Sequence, residues 1–458
     1  MRLARSPVWQ DSDFVKFWSA ASVSLIGDAV TQLALPLIAI SLLDATPFQV
    51  GLVGGAQFLP FLLIGLPAGA IIDRLASKRR LLVLADLARA LSLLSIPLAY
   101  AGGLLSLELL YTVAFLNGAM TVFFDVAATS YLPALLDRER LVDGNAKLEL
   151  SRSSAQIVGP GTAGLLIQLA SAPVALLADA VSFLMSGALI ARVRRAESLA
   201  GARTEARRIR DLGREIVEGT RYVFGQPYVR AIALTTTTAN FFRSALLAVL
   251  LVYLVREGET SAGAIGVAFA IGNVGFVTAA LIAPSAARRL GVGRTMLAAV
   301  SLFGPAALLV AISPAGVAIY AAAAMVLIDS FGIGLHGVNQ VSVRQAVTPP
   351  RLRGRMGGTM RVLMFGTMPL GMMFGGALGS LVGLRAAIWF STVGLFLAAL
   401  PYALSSTRRL VEVPTPQETG AEEPPLLGVP AAAAQPPARH PLTAYGETAR
   451  TGAGRSRT

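Results

Sequence analysis

The chain has 458 residues, of which 54% are hydrophobic and only 14% charged, a balance that excludes an ordinary soluble protein and places the chain in a bilayer. It contains no cysteine, which removes disulfide frameworks, thiolate zinc sites and iron–sulfur clusters. Its net charge of +13 comes from 39 Lys and Arg against 26 Asp and Glu, and would suit nucleic acid only if those charges gathered on one exposed surface.

Crossing about 30 Å of hydrocarbon takes about 20 mainly apolar residues as a helix, because an open strand cannot satisfy its backbone hydrogen bonds in lipid. Apolar stretches fall at 14–43, 49–72, 81–100, 107–130, 153–170, 173–191, 229–255, 262–286, 294–312, 316–343, 356–381 and 385–404, which predicts twelve transmembrane helices. The first follows a short polar lead without a small-residue cleavage pattern and reads as a retained span.

Of the 39 positive residues, 35 fall in the N-terminal lead, the loops after the even-numbered spans and the C-terminal tail. The opposite loops hold Arg256 and Arg385, while Arg89 and Arg243 lie within spans. Positive residues collect on the cytoplasmic side, so both termini are expected there. The charge is thereby assigned to topology and to anionic lipid on the cytoplasmic face, with no nucleic-acid partner.

Hydropathy and arginine content divide the chain into an N-terminal six-helix bundle (1–192), a cytoplasmic linker (193–228), a C-terminal six-helix bundle (229–404) and a disordered cytoplasmic tail (405–458). In the linker, Leu212, Ile216, Thr220, Val223 and Phe224 recur at helical spacing beside Arg214 and Arg221. That pattern fits a helix in the membrane interface or a solvated linker helix. The tail is rich in proline and short of aromatics, so it cannot bury a core.

The two halves read as a duplication. GAIIDRLASKRR, from Gly69 to Arg80, is matched 210 residues later by AALIAPSAARRL, and Arg140-Leu141 by Arg351-Leu352 at an offset of 211. The fold class expected is an all-α integral membrane protein of twelve helices in two pseudo-symmetric bundles, an architecture of transporters.

Enzyme chemistry is missing from the sequence. None of the three lysines follows glycine, so there is no phosphate-cradling Gly-Lys-Ser/Thr loop. Only His336 and His440 are present, too far apart for a helical metal pair, and no Gly-x-Ser-x-Gly elbow occurs. No metal or cofactor is expected.

Charges within hydrocarbon are costly and are functional candidates by default. Asp28, Arg243 and Asp329 each lie about halfway along a span, where they could meet near the midplane. A carboxylate there could take a proton from one side and release it to the other, or form a static pair that locks helices. Gln32 lies one turn beyond Asp28 and could hydrogen-bond a substrate. Asp86 and Arg89, one turn apart, read as a local ion pair nearer the cytoplasmic side, Asp125 as reaching the Arg74 and Arg79 region, and Asp179 as a structural or gating residue. Gly159, Pro160, Gly161 and Gly164 in the fifth span, and Gly371, Gly375 and Gly379 in the eleventh, mark close helix packing.

These residues resemble the major facilitator superfamily. GAIIDRLASKRR is similar to its hallmark loop between helices 2 and 3, with Gly69, Asp73, Arg74, Lys78 and Arg79 in place, Ala76 for the usual glycine and Ser77 for a basic residue. The resemblance implies that the aspartate and basic residues latch the halves on the cytoplasmic side. Gly159, Pro160, Ala163 and Gly164 resemble the helix 5 motif of the family's antiporters, with Ala146 and Ala155 at upstream glycine sites. Gly27-Asp28 followed by Ala34-Leu35-Pro36-Leu37, the stretch from Asp179 to Phe183, and Leu352-Arg353-Gly354-Arg355 resemble the branch of the enterobactin exporter and macrolide efflux proteins. That branch implies an exporter of the bacterial inner membrane driven by the proton gradient, trading protons for a small organic molecule such as a drug, siderophore or secondary metabolite; a monomer is expected. An uptake symporter or facilitator of the same fold, or a non-transporting scaffold or sensor, are the alternatives.

Overall fold

The structure, a computed structural model, describes residues 7–72, 75, 77–194 and 209–413. Among these there is no strand, and the chain forms sixteen helices: α1 Ser12–Ser41, α2 Pro47–Leu63, α3 Gly65–Ile72, α4 Lys78–Ala101, α5 Leu107–Leu135, α6 Arg138–Ala170, α7 Ala172–Ala191, α8 Ile209–Gly225, α9 Pro227–Arg256, α10 Ala262–Leu290, α11 Val292–Ser301, α12 Phe303–Ile312, α13 Ala318–Val347, α14 Arg353–Val382, α15 Leu384–Leu397 and α16 Leu400–Leu404. The starts carry side-chain caps where the sequence supplies them. Asp11 accepts from the Asp13 and Phe14 amides ahead of α1, and Thr46 with Gln49 forms a capping box before Pro47 of α2.

Ten segments among the described residues are long and apolar enough to cross a bilayer. Two more are consistent with the twelve spans read from sequence. One is α2, which continues as α3 after a break at Ile64. The other is α6, whose charged first half extends the helix back to Arg138, well before the expected start at 153. Its backbone bonds stay within the helix whether the surroundings are lipid or water, so helicity does not stop where hydropathy does. The expected ninth span is likewise divided, at Leu302, into α11 and α12.

Helices before residue 192 pack on one another, α1 against α6 and α7, α4 against α5 and α7, and α2 against α5. Those after 227 do the same, α9 against α14 and α15, and α10 against α13. Large apolar side chains such as Leu169 and Leu381 are more than three-quarters exposed, as lipid-facing residues would be.

Two crossings join the two sets, α2 on α14 and α6 on α10. Their glycine contacts lie towards the end where α1 gives way to α2, and the α2–α14 packing continues along α2 to Phe61 on Phe365 and Leu62 on Gly366. A Cβ added to Gly164 would collide with the Ala262 carbonyl and the Gly266 Cα, and one added to Gly266 with the Pro160 carbonyl. Gly51 and Gly376 meet in the same manner, against the Met372 and Pro47 carbonyls. Backbone therefore lies on backbone at each crossing. The same end holds an Arg256–Asp44 ion pair at 2.9 Å and a Phe48 amide donating to Ser380 Oγ at 2.9 Å. By contrast Gly371 and Gly375 face the Phe241 and Ala245 carbonyls of α9, so that part of the eleventh-span glycine stripe packs within its own set.

The linker helix α8 docks on α14. Arg355 pairs with Glu215 and Glu218, and the Tyr222 hydroxyl donates to the Val347 carbonyl at 2.7 Å. Arg214, Val217, Arg221 and Phe224 remain exposed on one stripe of the helix. The described helical structure runs past the expected boundary at 404. Ser406–Arg409 forms a 3-10 turn, and Leu410 and Val411 accept from the Gly293 and Val292 amides. The proline-rich stretch from 414 onward lies outside the described residues.

The duplication shows in the turns. Between α6 and α7 the chain passes through Ser171 at φ 83°, ψ 156°, and between α14 and α15 through Gly383 at φ 91°, ψ 156°. Their separation of 212 residues is close to the offset between the two halves' motifs.

Candidate transport site

The first charged cluster is built by four helices around Arg89, the twelfth of 24 residues of α4 and 1% exposed. It pairs with Asp86 one turn earlier, which is completely buried, and its guanidinium lies over the Phe124 ring of α5 at 4.5 Å and the Phe183 ring of α7 at 4.1 Å. Asp28 of α1 approaches the same guanidinium, with Oδ1 at 3.9 Å from its Nη1, and its side chain keeps 24% of its surface. One cation thus serves two carboxylates of unequal access. Arginine stays protonated, so any exchange of protons in this cluster falls to the acids.

Asp179 completes the cluster from α7. It is fully buried, and it accepts from Thr31 on α1 and from Ser182 at 3.0 Å. Gly27 makes the approach possible, since a Cβ there would overlap the Asp179 carboxylate and the Ser182 hydroxyl. The Gly27-Asp28 step therefore does two things, admitting one aspartate from α7 and presenting another to α4. Asp125 of α5 is within electrostatic reach of Arg152 on α6, Arg89 on α4 and Arg361 on α14.

The second cluster belongs to the later helices. Arg243 of α9 holds Asp329 of α13 in a bidentate pair, 2.8 and 2.9 Å, with Asn240 at 3.4 Å and the Phe303 ring 4.4 Å from the guanidinium carbon. The pair stands in the wall of a cavity of about 240 Å³ lined otherwise mainly by apolar side chains, among them Leu246, Leu250, Phe269, Met325 and Ile333. Ser330 donates to Asn273 in that wall at 3.2 Å, and Asn273 donates at 2.7 Å to the Gln156 carbonyl of α6, across the α6–α10 crossing.

Of the residues singled out in the sequence, Arg243 and Asp329 come together as one pair. Asp28 takes Arg89 as its cation, because α1 packs beside α7 and α7 packs on α4. Arg89, read from sequence as half of a shallow local pair, is at mid-helix. Helix α4 starts at Lys78, inside the loop motif, and this puts Arg89 level with Asp28. Gln32 is exposed. Lys78 donates to the Ser130 carbonyl at 3.4 Å and Arg79 to the Val193 carbonyl, while Gly69 has open space where a Cβ would be. Asp73 and Arg74 lie outside the described residues. Gly159 and Gly164 sit in the fifth-span packing, Gly159 against Ala29 of α1 and Gly164 at the crossing, with the Pro160 carbonyl facing Gly266. His336 bonds through Nε2 to the Tyr402 hydroxyl at 2.8 Å.

Two packed sets of membrane-length helices with ion pairs in mid-span are the architecture of a membrane transporter. The Major Facilitator Superfamily model matches residues 17–368 and 232–447, and the chain belongs to that family of multi-pass secondary transporters. It is 31% identical over 387 residues to the multidrug efflux pump Tap of Mycolicibacterium fortuitum, covering 80% of this chain and 89% of the relative. With the multidrug efflux pump Tap of Mycobacterium bovis it shares 27% over 377 residues, 80% and 87% of the two chains. Its fold is similar to that of a bacterial homologue of the human lysosomal transporter Spinster in an inward-facing and occupied conformation, with TM-score 0.67, 16% identity, and 88% and 97% of the chains covered. The nucleoside transporter NupG gives TM-score 0.69 at 10% identity, covering 86% and 98%.

Proposed function

We propose that the protein exports small organic molecules, drugs among them, from the cytoplasm by exchanging them for protons, with Asp28 as the proton carrier. The observation that carries this is the shared guanidinium. Arg89 is held by a sealed Asp86 and touched by a part-open Asp28. When Asp28 takes a proton, its attraction to Arg89 is lost and Arg89 rests on Asp86 alone; when the proton leaves, α1 is drawn back to α4. A proton thereby alters the contact between two helices, which is what coupling to a conformational change requires.

Export is favoured over uptake by the antiporter-like fifth span, whose Gly164 forms an inter-half contact, and by likeness to pumps described as multidrug efflux pumps. The reading takes both termini as cytoplasmic and the protein as a monomer in the inner membrane of a bacterium, with residues 1–192 and 229–404 as the moving bundles. Under that orientation the glycine crossings close the external face, and anionic lipid meets the arginines of the linker. Asp73, Arg74, Lys78 and Arg79 serve the cytoplasmic gate, and Gln32, Arg243 and Asp329 belong to the substrate path.

Cells expressing Asp28→Asn should lose uncoupler-sensitive export of a fluorescent dye such as ethidium, by tenfold or more. Unchanged, uncoupler-sensitive export by Asp28→Asn would sink the proton-carrier role. Dye movement in oriented vesicles decides between export and uptake.

A further inference from the structure

Among the described residues, those lining the cavity at Arg243 and Asp329 belong to α9, α10, α12, α13 and α15. Among the described residues no helix before 192 contributes to its wall, so the site is built within the later set of helices. A rigid movement of one set against the other would carry these five helices together, and the Asn273 bond to the Gln156 carbonyl is the contact of the wall that such a movement would strain. The cavity's interior is leucine, isoleucine, methionine and phenylalanine, with Arg243, Asp329, Asn273 and Ser330 as its polar groups. The two charged groups cancel through a closed bidentate bond, and Phe303 covers the guanidinium. A ligand therefore meets dipoles but no net charge. An ion entering would shed its hydration without a counter-charge, whereas an uncharged molecule would gain from burial. The volume is about that of eight waters at about 30 Å³ each.

We propose that this cavity is a binding site for uncharged, lipophilic molecules that carry a hydrogen-bonding group, and that it stays formed whichever way the two halves open. It rests on the transport reading only for its biological use, since the binding is measurable without transport. Asn273 gives the site a route to the rest of the molecule. It faces the cavity, accepts from Ser330 and donates across the crossing to the Gln156 carbonyl. A ligand that displaces Asn273 would weaken a contact between the halves.

The test uses the purified full chain in lipid nanodiscs and three fluorescent probes: uncharged N-phenyl-1-naphthylamine, its sulfonated anionic counterpart 1-anilinonaphthalene-8-sulfonate, and cationic ethidium. The uncharged probe should bind saturably above the empty-nanodisc background, with affinity reduced at least tenfold by Leu250→Trp. Ala307→Leu, a smaller filling of the same cavity, should weaken it severalfold and serves if the tryptophan variant does not fold. Asp329→Asn leaves Arg243 uncompensated and should create saturable binding of the anionic probe; Arg243→Gln should do so for ethidium. Binding of the uncharged probe that neither filling variant changes, absence of saturable binding, or a charge preference that ignores both neutralising variants would overturn the proposal. Asp28→Asn should bind the uncharged probe as the wild type does, so failure of this site and failure of proton-coupled export are separable.

Discussion

Arg89 offers the sharpest test of how the buried charges divide their work, because its two acidic partners differ in access. Asp86 is sealed and bonded to the guanidinium, whereas Asp28 is 24% exposed and 3.9 Å away, beyond hydrogen-bond distance. Removing one partner of a sealed pair leaves an uncompensated charge and costs about 3–5 kcal/mol. Arg89→Gln should therefore destabilise by about that amount, and Asp86→Asn by nearly as much. Asp28→Asn should cost about 1 kcal/mol or less, since a partly solvated contact at that separation contributes little. Transport should rank differently, with Asp28→Asn and Arg89→Gln both inactive. The assay is denaturant unfolding of the purified variants followed by tryptophan fluorescence, alongside dye export in cells at matched expression. The double variant Asp86→Asn/Arg89→Gln, which removes both charges, should be more stable than Arg89→Gln alone. Equal destabilisation by Asp28→Asn and Asp86→Asn would refute the division of roles, because Arg89 would then hold both acids as structural partners.

Gly164→Val should cut export at least tenfold without abolishing membrane insertion, because its side chain would have to displace the Ala262 carbonyl and the Gly266 backbone; export and surface accessibility together check this. Ser171→Gly should stabilise the protein by about 1 kcal/mol, since Ser171 occupies a backbone region that suits glycine and costs other residues about 1–3 kcal/mol; unfolding midpoints measure it.

Hydropathy and charge were enough to read the fold class, and the twelve spans they predict are consistent with the helices observed, because both depend on composition over a window of about twenty residues. Helix ends were less legible. Apolar content marks where lipid begins and not where hydrogen bonding stops, so the charged first half of α6 was missed. The Asp86–Arg89 pair was visible because a helical turn fixes it locally. Its link to Asp28 was not, since it depends on α1 and α4 both packing on α7. Nothing in the sequence near Asp179 points to Thr31, and Gly27 gave no hint that it was small for the sake of a carboxylate 152 positions away. The Arg243–Asp329 pair lay between those cases. Both residues stood out as mid-span charges, but only three-dimensional packing supplies the cavity beside them.

The two glycine crossings have a consequence for the energetics of cycling. Where backbone meets backbone, no side chain must be frozen into a rotamer as the surfaces close, and none must be released as they part. The points of closest approach therefore close at little rotamer cost, while the apolar side chains that part with the seam lie farther along α2 and α14, where Phe61 stacks on Phe365 and Leu62 meets Gly366. The glycine contacts thus add little of their own to the free-energy difference between the joined and the parted state, and leave that difference to the side chains along the rest of the seam.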